Sequence, residues 1–192
     1  MATGLLPEQA DLLRRIELHA FDAPGTTQPF LDRLARENGW TLGFARRAVE
    51  EYKRFAFLYA SSGDPVAPSD VVDQVWHLHL LYTRNYWDAF CRDALGKPLH
   101  HEPDAGRTGE QAKLGDWYAD TLARYRRHFG EPPADIWPTA EQLARRPKPR
   151  HAWVDVGSAV VLSRRAVVAA VVAVAAMAIV ALGALAWAAT RH

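Results

Sequence analysis

One stretch of the sequence constrains the fold more than any other: residues 166–189 carry no charged side chain. Coiled as a helix, these 24 residues extend about 36 Å, which is enough to cross a hydrocarbon core of about 30 Å. A helix can cross lipid because its backbone polar groups pair with one another, whereas an open strand would leave them unpaired. Core helices of this length rarely lack every polar residue. The run therefore predicts one C-terminal transmembrane helix, within a tail anchor at residues 164–192.

The charges around this run predict its orientation. Six basic residues lie before it and one after it: Arg145, Arg146, Lys148, Arg150, Arg164 and Arg165 on one side, Arg191 on the other. Because segments rich in Lys and Arg stay in the cytoplasm, we expect residues 1–145 there, joined by a basic linker at 146–163 to a single span of the inner (plasma) membrane. The chain starts without the basic and apolar pattern of a signal peptide. Small residues four apart in the run could let two spans pack as a homodimer.

Composition limits which kinds of protein the rest of the chain can form. Apolar residues make up 49% of the sequence and charged residues 23%, a balance that excludes a disordered protein. Three of the 23 basic residues lie after residue 163 and all 22 acidic residues lie before it, so residues 1–163 carry a net charge of −2. That charge argues against nucleic acid as a partner. The single cysteine, Cys91, excludes an intrachain disulfide and a cysteine-rich zinc site.

Helical spacing dominates residues 1–145 and predicts an all-α domain of five or six helices. Apolar positions recur three or four residues apart, and no segment keeps the alternation of a strand. The clearest stripe follows Thr41, a residue type that caps helix N-termini, and consists of Ala45, Val49, Tyr52, Ala56 and Tyr59. Ser69 is a similar cap for a helix that we expect to continue regularly to about Cys91.

Histidines concentrate in and after this last helix. Four of the eight stand at positions 77, 79, 100 and 101. On a regular helix Asp73 lies one turn before His77, so its carboxylate can reach the imidazole. His77 and His79 point about 200° apart, so a regular helix cannot bring both to one ion. The two neighbouring histidines are therefore expected to have different roles.

The first interpretation of the cluster is a divalent metal site. It would take His77 as a ligand, Asp73 as a ligand or as the group that orients His77, and His100 or His101 from the following loop. Glu102 is a further carboxylate in that loop. Imidazole and carboxylate are ligands that zinc and similar ions accept. The spacing nevertheless matches no specific metal signature such as HExxH.

The second interpretation is a structural polar network. His79 shares the apolar face of the helix with Tyr82 and Tyr86, and buried polar groups generally find hydrogen-bond partners. We therefore assign these three residues to a structural polar core. The sequence is compatible with either role, metal ligand or member of such a network, for Asp73, His77, His100 and His101.

The segments DQVWHLHLLYTRNYWDAFC and LHHEP resemble the glycine-rich domain-containing protein-like family, found in plants and bacteria. The matching positions are Asp73, Trp76, His77, His79, Thr83, Tyr86, Cys91 and His101. With YRRHFGEPPADIWP as the downstream segment, the resemblance covers about residues 28–138. It implies an architecture and no reaction. Plant members add a glycine-rich region and sometimes an RNA-recognition domain. The 12 glycines here are scattered, and the predicted membrane anchor departs from those members.

Three functions compete. The first is a single-pass membrane protein that presents a helical cytosolic interaction domain to a protein partner, with the lipid bilayer as its second partner. The second is a metal-dependent enzyme or sensor that uses the Asp/His cluster. The third is an RNA-related role by family analogy, which the charge of −2 opposes. The sequence contains no catalytic triad, phosphate-binding loop or paired-acid site, so the first hypothesis is favoured and no catalytic residue is assigned.

Overall fold

The computed structural model describes residues 5–101, 110–145 and 164–189. Every regular element within these residues is a helix, so the prediction of an all-α fold is confirmed for them. The elements are α1 (Pro7–Leu18), α2 (Phe30–Asn38), α3 (Leu42–Ser61), α4 (Asp70–Leu80), a π-helix (Asn85–Leu95), α5 (Glu110–Phe129), α6 (Ala140–Arg145) and α7 (Arg164–Ala189). The chain divides into two compact units, residues 1–146 and 147–192.

Helix α3 is the centre of the first unit and contacts α1, α2, α4, α5 and the π-helix. It begins as the sequence predicts, because the Thr41 hydroxyl accepts a hydrogen bond from the backbone N–H of Phe44 at 3.2 Å. The predicted apolar stripe is largely buried, and Val49 and Tyr59 lie partly buried at its edges. The central position of α3 explains the stripe, since neighbours pack on several of its sides.

The single regular helix predicted from Ser69 to about Cys91 is wrong. The Ser69 hydroxyl does cap α4 by accepting from the N–H of Val72 at 3.3 Å. The backbone then tightens at residues 81 and 82, whose N–H groups donate to carbonyls three residues earlier, and a π-helix follows from Asn85. Within the described residues of the first unit there are thus seven helices, where the sequence predicted five or six.

A hydrogen-bond network around His79 and Asn85 explains where this break falls. The Asn85 amide oxygen accepts from Nε2 of His79 at 2.8 Å and from Nε2 of His19 at 2.9 Å, while its nitrogen donates to the Ala20 carbonyl at 2.9 Å. The Tyr52 hydroxyl donates to the remaining ring nitrogen of His79 at 3.1 Å. These contacts join α3, α4, the π-helix and the residues after α1. A helix in regular register would carry Asn85 to a different position.

Burial in this network changes the ionisation of its histidines. His79 is fully buried, and desolvation lowers its pKa to about 3. Burial also lowers the pKa of His19 below its ordinary value. Each ring donates to the Asn85 oxygen through Nε2, and the low pKa of His79 keeps its ring in the neutral form near pH 7.

Two further buried polar contacts hold the end of the first unit. The Trp137 indole N–H donates to a Glu51 carboxylate oxygen at 2.9 Å, and the Tyr118 hydroxyl donates to the Pro138 carbonyl at 2.7 Å. The segment between α5 and α6 is thereby fixed to α3 and to α5. This arrangement accounts for a Glu51 side chain that is buried although it carries a carboxylate.

The second unit contains α7. In the part of the chain that the structure describes, no helix has both the length and the apolar character that a membrane span requires. The side chains at 178 and 180–189 lie outside the described residues, as do the predicted basic linker at 146–163 and the last three residues of the predicted anchor.

We expect the buried His79 to make the fold acid-sensitive. Its folded pKa of about 3 lies below the value of 6.5 expected in the unfolded chain, so protons bind the unfolded state preferentially between these values. Stability from this residue is therefore complete above pH 6.5 and is lost as the pH falls towards 3, by an amount on the order of a few kcal/mol. Urea unfolding of the full chain at pH 7, 6, 5 and 4 measures the loss.

The matched control is His79→Gln, which keeps a polar side chain but cannot gain a proton. Its free energy of unfolding should be lower than that of the wild type at pH 7 and should fall less steeply with acid. An identical pH slope in the two proteins would contradict the assignment of this acid sensitivity to His79.

Candidate metal centre

Three of the predicted site residues meet at one surface of the first unit. An oxygen of Asp73 lies 2.8 Å from Nε2 of His101, and its second oxygen lies 3.5 Å from Nδ1 of His77. One candidate ligand atom from each residue lies within 4.8 Å of the other two. Helix α4 supplies Asp73 and His77 from successive turns, as their spacing predicts. His101 comes from the segment that follows the π-helix.

The imidazole of His101 packs between two rings of α4. Its centroid lies 4.5 Å from the Trp76 ring in an edge-on arrangement and 4.5 Å from the His77 ring in a tilted one. Because Trp76 immediately precedes His77, α4 provides two of the candidate ligands and also the wall against which His101 rests. The wall limits the positions that the His101 ring can occupy.

Two tyrosine hydroxyls hold the segment that leads to His101. The Tyr86 hydroxyl donates to the Leu99 carbonyl and accepts from the indole N–H of Trp76 at 2.7 Å. The Tyr59 hydroxyl donates to the Pro98 carbonyl at 2.8 Å. The Leu99 side chain is itself buried. The backbone is thus fixed by hydrogen bonds and by packing two residues before the ligand.

The cluster lies at the boundary between the core and solvent. The side chain of His77 is 49% exposed, that of Asp73 26% and that of His101 17%. The carboxylate accepts from His101 on the covered side, and the His77 ring borders water on the other. A bound ion would therefore have protein ligands on one side and solvent on the other.

The donor set suits a transition-metal ion. Two imidazole nitrogens and one carboxylate oxygen are ligands for zinc at about 2.0–2.2 Å, and tetrahedral ligands at that distance lie about 3.3 Å apart. The three candidate atoms lie within 4.8 Å of one another, so the side chains would have to draw together to reach this spacing around an ion. The carboxylate would cancel one of the two charges of the ion.

The other predicted site residues lie elsewhere. His100 is not part of the cluster, and its ring lies 5.5 Å from that of Trp87 on the π-helix. His79 and Tyr86 are buried, but His79 bonds to Tyr52 and Asn85, and Tyr86 bonds to Trp76 and Leu99. Tyr82 is half-buried, with its ring 5.3 Å from that of Phe30. Glu102 lies outside the described residues.

Sequence reasoning did not identify Asn85 or Tyr52 as the partners of His79. The position of Asn85 relative to His79 depends on the break after α4. The position of Tyr52 relative to His79 depends on how α3 packs against α4. Sequence reasoning also gave no role to Trp76 beyond its place in the family resemblance. The one available signal was its place between Asp73 and His77 on the same turns of the helix.

A groove of about 520 Å³ lies away from this cluster, between α1, α2 and α3. The Lys53 ammonium on its wall donates to the carbonyls of Glu17 and His19, both at 2.7 Å. Burial lowers the pKa of Lys53. These two bonds satisfy carbonyls at the end of α1, which gives the lysine a role in helix termination.

One protein-family model matches part of this chain. Residues 34–114 match the model of a protein family described as UCP032817-like, a region that contains α3, α4, the π-helix and all three cluster residues. No curated protein and no solved structure is significantly similar to this chain. The family description states no activity, and it has no bearing on the glycine-rich family, so that resemblance stays a prediction. The segment that is similar to the UCP032817-like family is thus the one that contains the candidate metal centre.

Proposed function

We propose that the first unit binds a divalent transition-metal ion, of which zinc is the test case, through Asp73, His77 and His101. The observation that supports this most is the convergence of one ligand atom from each residue to within 4.8 Å, although His101 lies 24 residues beyond His77. A ligand set assembled from two fixed segments is what a metal site requires.

The exposure of the cluster favours a centre with an open coordination position. Structural zinc sites are usually closed by four protein ligands, whereas catalytic sites keep three and bind water or a substrate at the fourth. Three ligands are available among the described residues, and His77 is half-exposed. The proposal is therefore a metal-dependent enzyme or sensor. When bound, the ion would act as a Lewis acid towards a ligand that approaches from solvent.

Asp73→Ala tests the proposal, because Asp73 is the group that both histidines face. Elemental analysis and calorimetric titration of the full chain should find one zinc ion per wild-type chain and none in the variant. EDTA should lower the melting temperature of the wild type and leave that of the variant unchanged. Without metal, loss of the carboxylate leaves His101 without its partner and should lower the free energy of unfolding by about 1–3 kcal/mol.

Asp70→Ala is the matched control. Asp70 is an exposed carboxylate one turn before Asp73 on the same helix, and it has no place in the cluster. This variant should bind zinc as the wild type does. A wild-type protein that neither contains nor binds zinc and does not respond to EDTA would exclude the metal function and leave a structural polar cluster.

A second candidate function is presentation of the first unit at a membrane. It is favoured by the uncharged run at 166–189 and by the six basic residues that precede it, a pattern typical of a cytoplasmic domain followed by one span. We infer from this pattern that the helical unit faces the cytoplasm at the inner membrane, where it would meet a protein partner. The metal centre and the anchor are compatible, because they lie in different units of the chain.

Reporter fusions test this topology. A reporter fused after His192 should lie outside the cytoplasm, and a reporter fused before Met1 should lie inside it. The chain should also stay in the membrane fraction after carbonate extraction. Ala176→Arg, which places a charge in the middle of the run, should release part of the protein, since a central arginine costs about 2.5–3.5 kcal/mol of insertion. A wild-type chain found wholly in the soluble fraction would contradict the anchor, and reversed reporter activities would contradict its direction.

A further inference from the structure

We infer that Tyr86 is a positioning residue for the proposed metal site: its hydroxyl sets the place of the His101 ligand. The inference rests on the proposed function. It concerns a side chain that touches none of the three ligand atoms, since the hydrogen bonds of the Tyr86 hydroxyl run to Trp76 and to Leu99.

The Tyr86 hydroxyl joins the two segments that supply the ligands. It accepts from the indole N–H of Trp76 at 2.7 Å, and Trp76 immediately precedes His77 on α4. It also donates to the carbonyl of Leu99, two residues before His101. One buried oxygen thus fixes the distance between α4 and the segment that carries the third ligand. Because the ring of Tyr86 is fully buried, water cannot readily replace either bond.

Trp76 extends the effect of this hydroxyl to the ligand itself. Its ring meets the His101 imidazole edge-on at 4.5 Å, so its orientation limits where that imidazole can lie. The indole orientation in turn depends on the bond to Tyr86. Loss of the hydroxyl would therefore release the backbone before His101 and the wall beside its ring at the same time.

The energetic consequence is preorganisation. When metal binding has to order a loop, the lost conformational entropy of the loop weakens the binding. A loop that is already held in place does not impose this loss. Hydrogen-bond partners that orient metal ligands commonly change metal affinity 10–100-fold when they are removed. The Tyr59 hydroxyl also holds this loop, but it donates to Pro98, whereas the indole of Trp76 that borders the imidazole donates to Tyr86. We therefore expect Tyr86 to have the larger effect.

Tyr86→Phe is the test, with Tyr118→Phe as its matched control. Both variants lose a buried hydroxyl that donates to a backbone carbonyl, but the Tyr118 hydroxyl binds Pro138, at the end of the segment between α5 and α6. Zinc dissociation constants of the full chain are measured by competition with a chromophoric chelator, and melting temperatures are measured without metal. The two variants should lose similar stability. Only Tyr86→Phe should bind zinc 10–100-fold more weakly, and Tyr59→Phe should lose less.

A second readout is independent of metal. Long-range ¹H–¹⁵N spectra of the metal-free protein report which nitrogen of His101 carries the proton. Tyr86→Phe should alter the His101 signals and leave those of His128 on α5 unchanged, whereas a general loss of stability would alter neither. Trp76→Phe removes the indole N–H that donates to the Tyr86 hydroxyl, and it serves as a second variant if Tyr86→Phe does not fold. It should weaken zinc binding to a similar extent.

The outcomes separate the two claims. A wild type that binds no zinc excludes the proposed function, and the His101 spectra then decide alone whether Tyr86 positions that ring. A wild type that binds zinc, with Tyr86→Phe within twofold of its affinity, overturns the inference and leaves the metal site standing. Equal weakening by Tyr86→Phe and Tyr118→Phe also overturns it, because the effect would then be one of stability.

Discussion

The requirement that buried polar groups be paired determines how the helices of the first unit meet. Its interior is rich in aromatic residues, and several of them carry a hydroxyl, an indole N–H or an imidazole. Among the described residues, no buried side-chain nitrogen or oxygen lacks a hydrogen-bond partner. An unpaired group of this kind would cost about 1–3 kcal/mol, a large part of the net stability of a domain. Apolar stripes make the helices pack, but the pairing of these groups selects which residues come into contact.

The hydrogen bonds of these buried groups also determine the geometry of the candidate metal centre at the surface. The buried indole N–H of Trp76 needs an acceptor, which is the Tyr86 hydroxyl. That hydroxyl in turn donates to the Leu99 carbonyl in the backbone before His101. The segment after the π-helix is therefore drawn to α4 by groups that have no metal-binding chemistry of their own. His101 then lies beside Asp73, and His100 points to Trp87. Two adjacent histidines are thus given different positions by the same buried contacts.

Local features of the sequence predicted much of the fold and half of the site. Thr41 and Ser69 mark helix starts through their side-chain oxygens, and the spacing of Asp73 and His77 predicts their proximity within one helix. These relations depend on neighbours at most four residues away.

The rest depends on residues distant in sequence. The break after α4 follows from the contacts of Asn85 with His19 and Ala20, which lie 66 and 65 residues away. No periodicity contains that information, so a regular helix was the natural prediction. The choice between His100 and His101 depends in turn on the Tyr86 hydroxyl and on the π-helix. Propensity and spacing alone could therefore only leave both histidines as candidates.

The two histidines of the WHLH segment show how one residue type acquires two chemistries. On α4 they point to opposite sides, so His77 borders solvent and His79 enters the core. Desolvation holds His79 neutral by lowering its pKa to about 3, and both of its ring nitrogens are already bonded, to Asn85 and to Tyr52. It has no free electron pair for a metal ion. His77 lies 3.5 Å from the carboxylate of Asp73 and packs against the ring of His101, and about half of its side chain is exposed to an incoming ion. The buried histidine therefore fixes the helix in place, and this leaves the exposed one available for coordination.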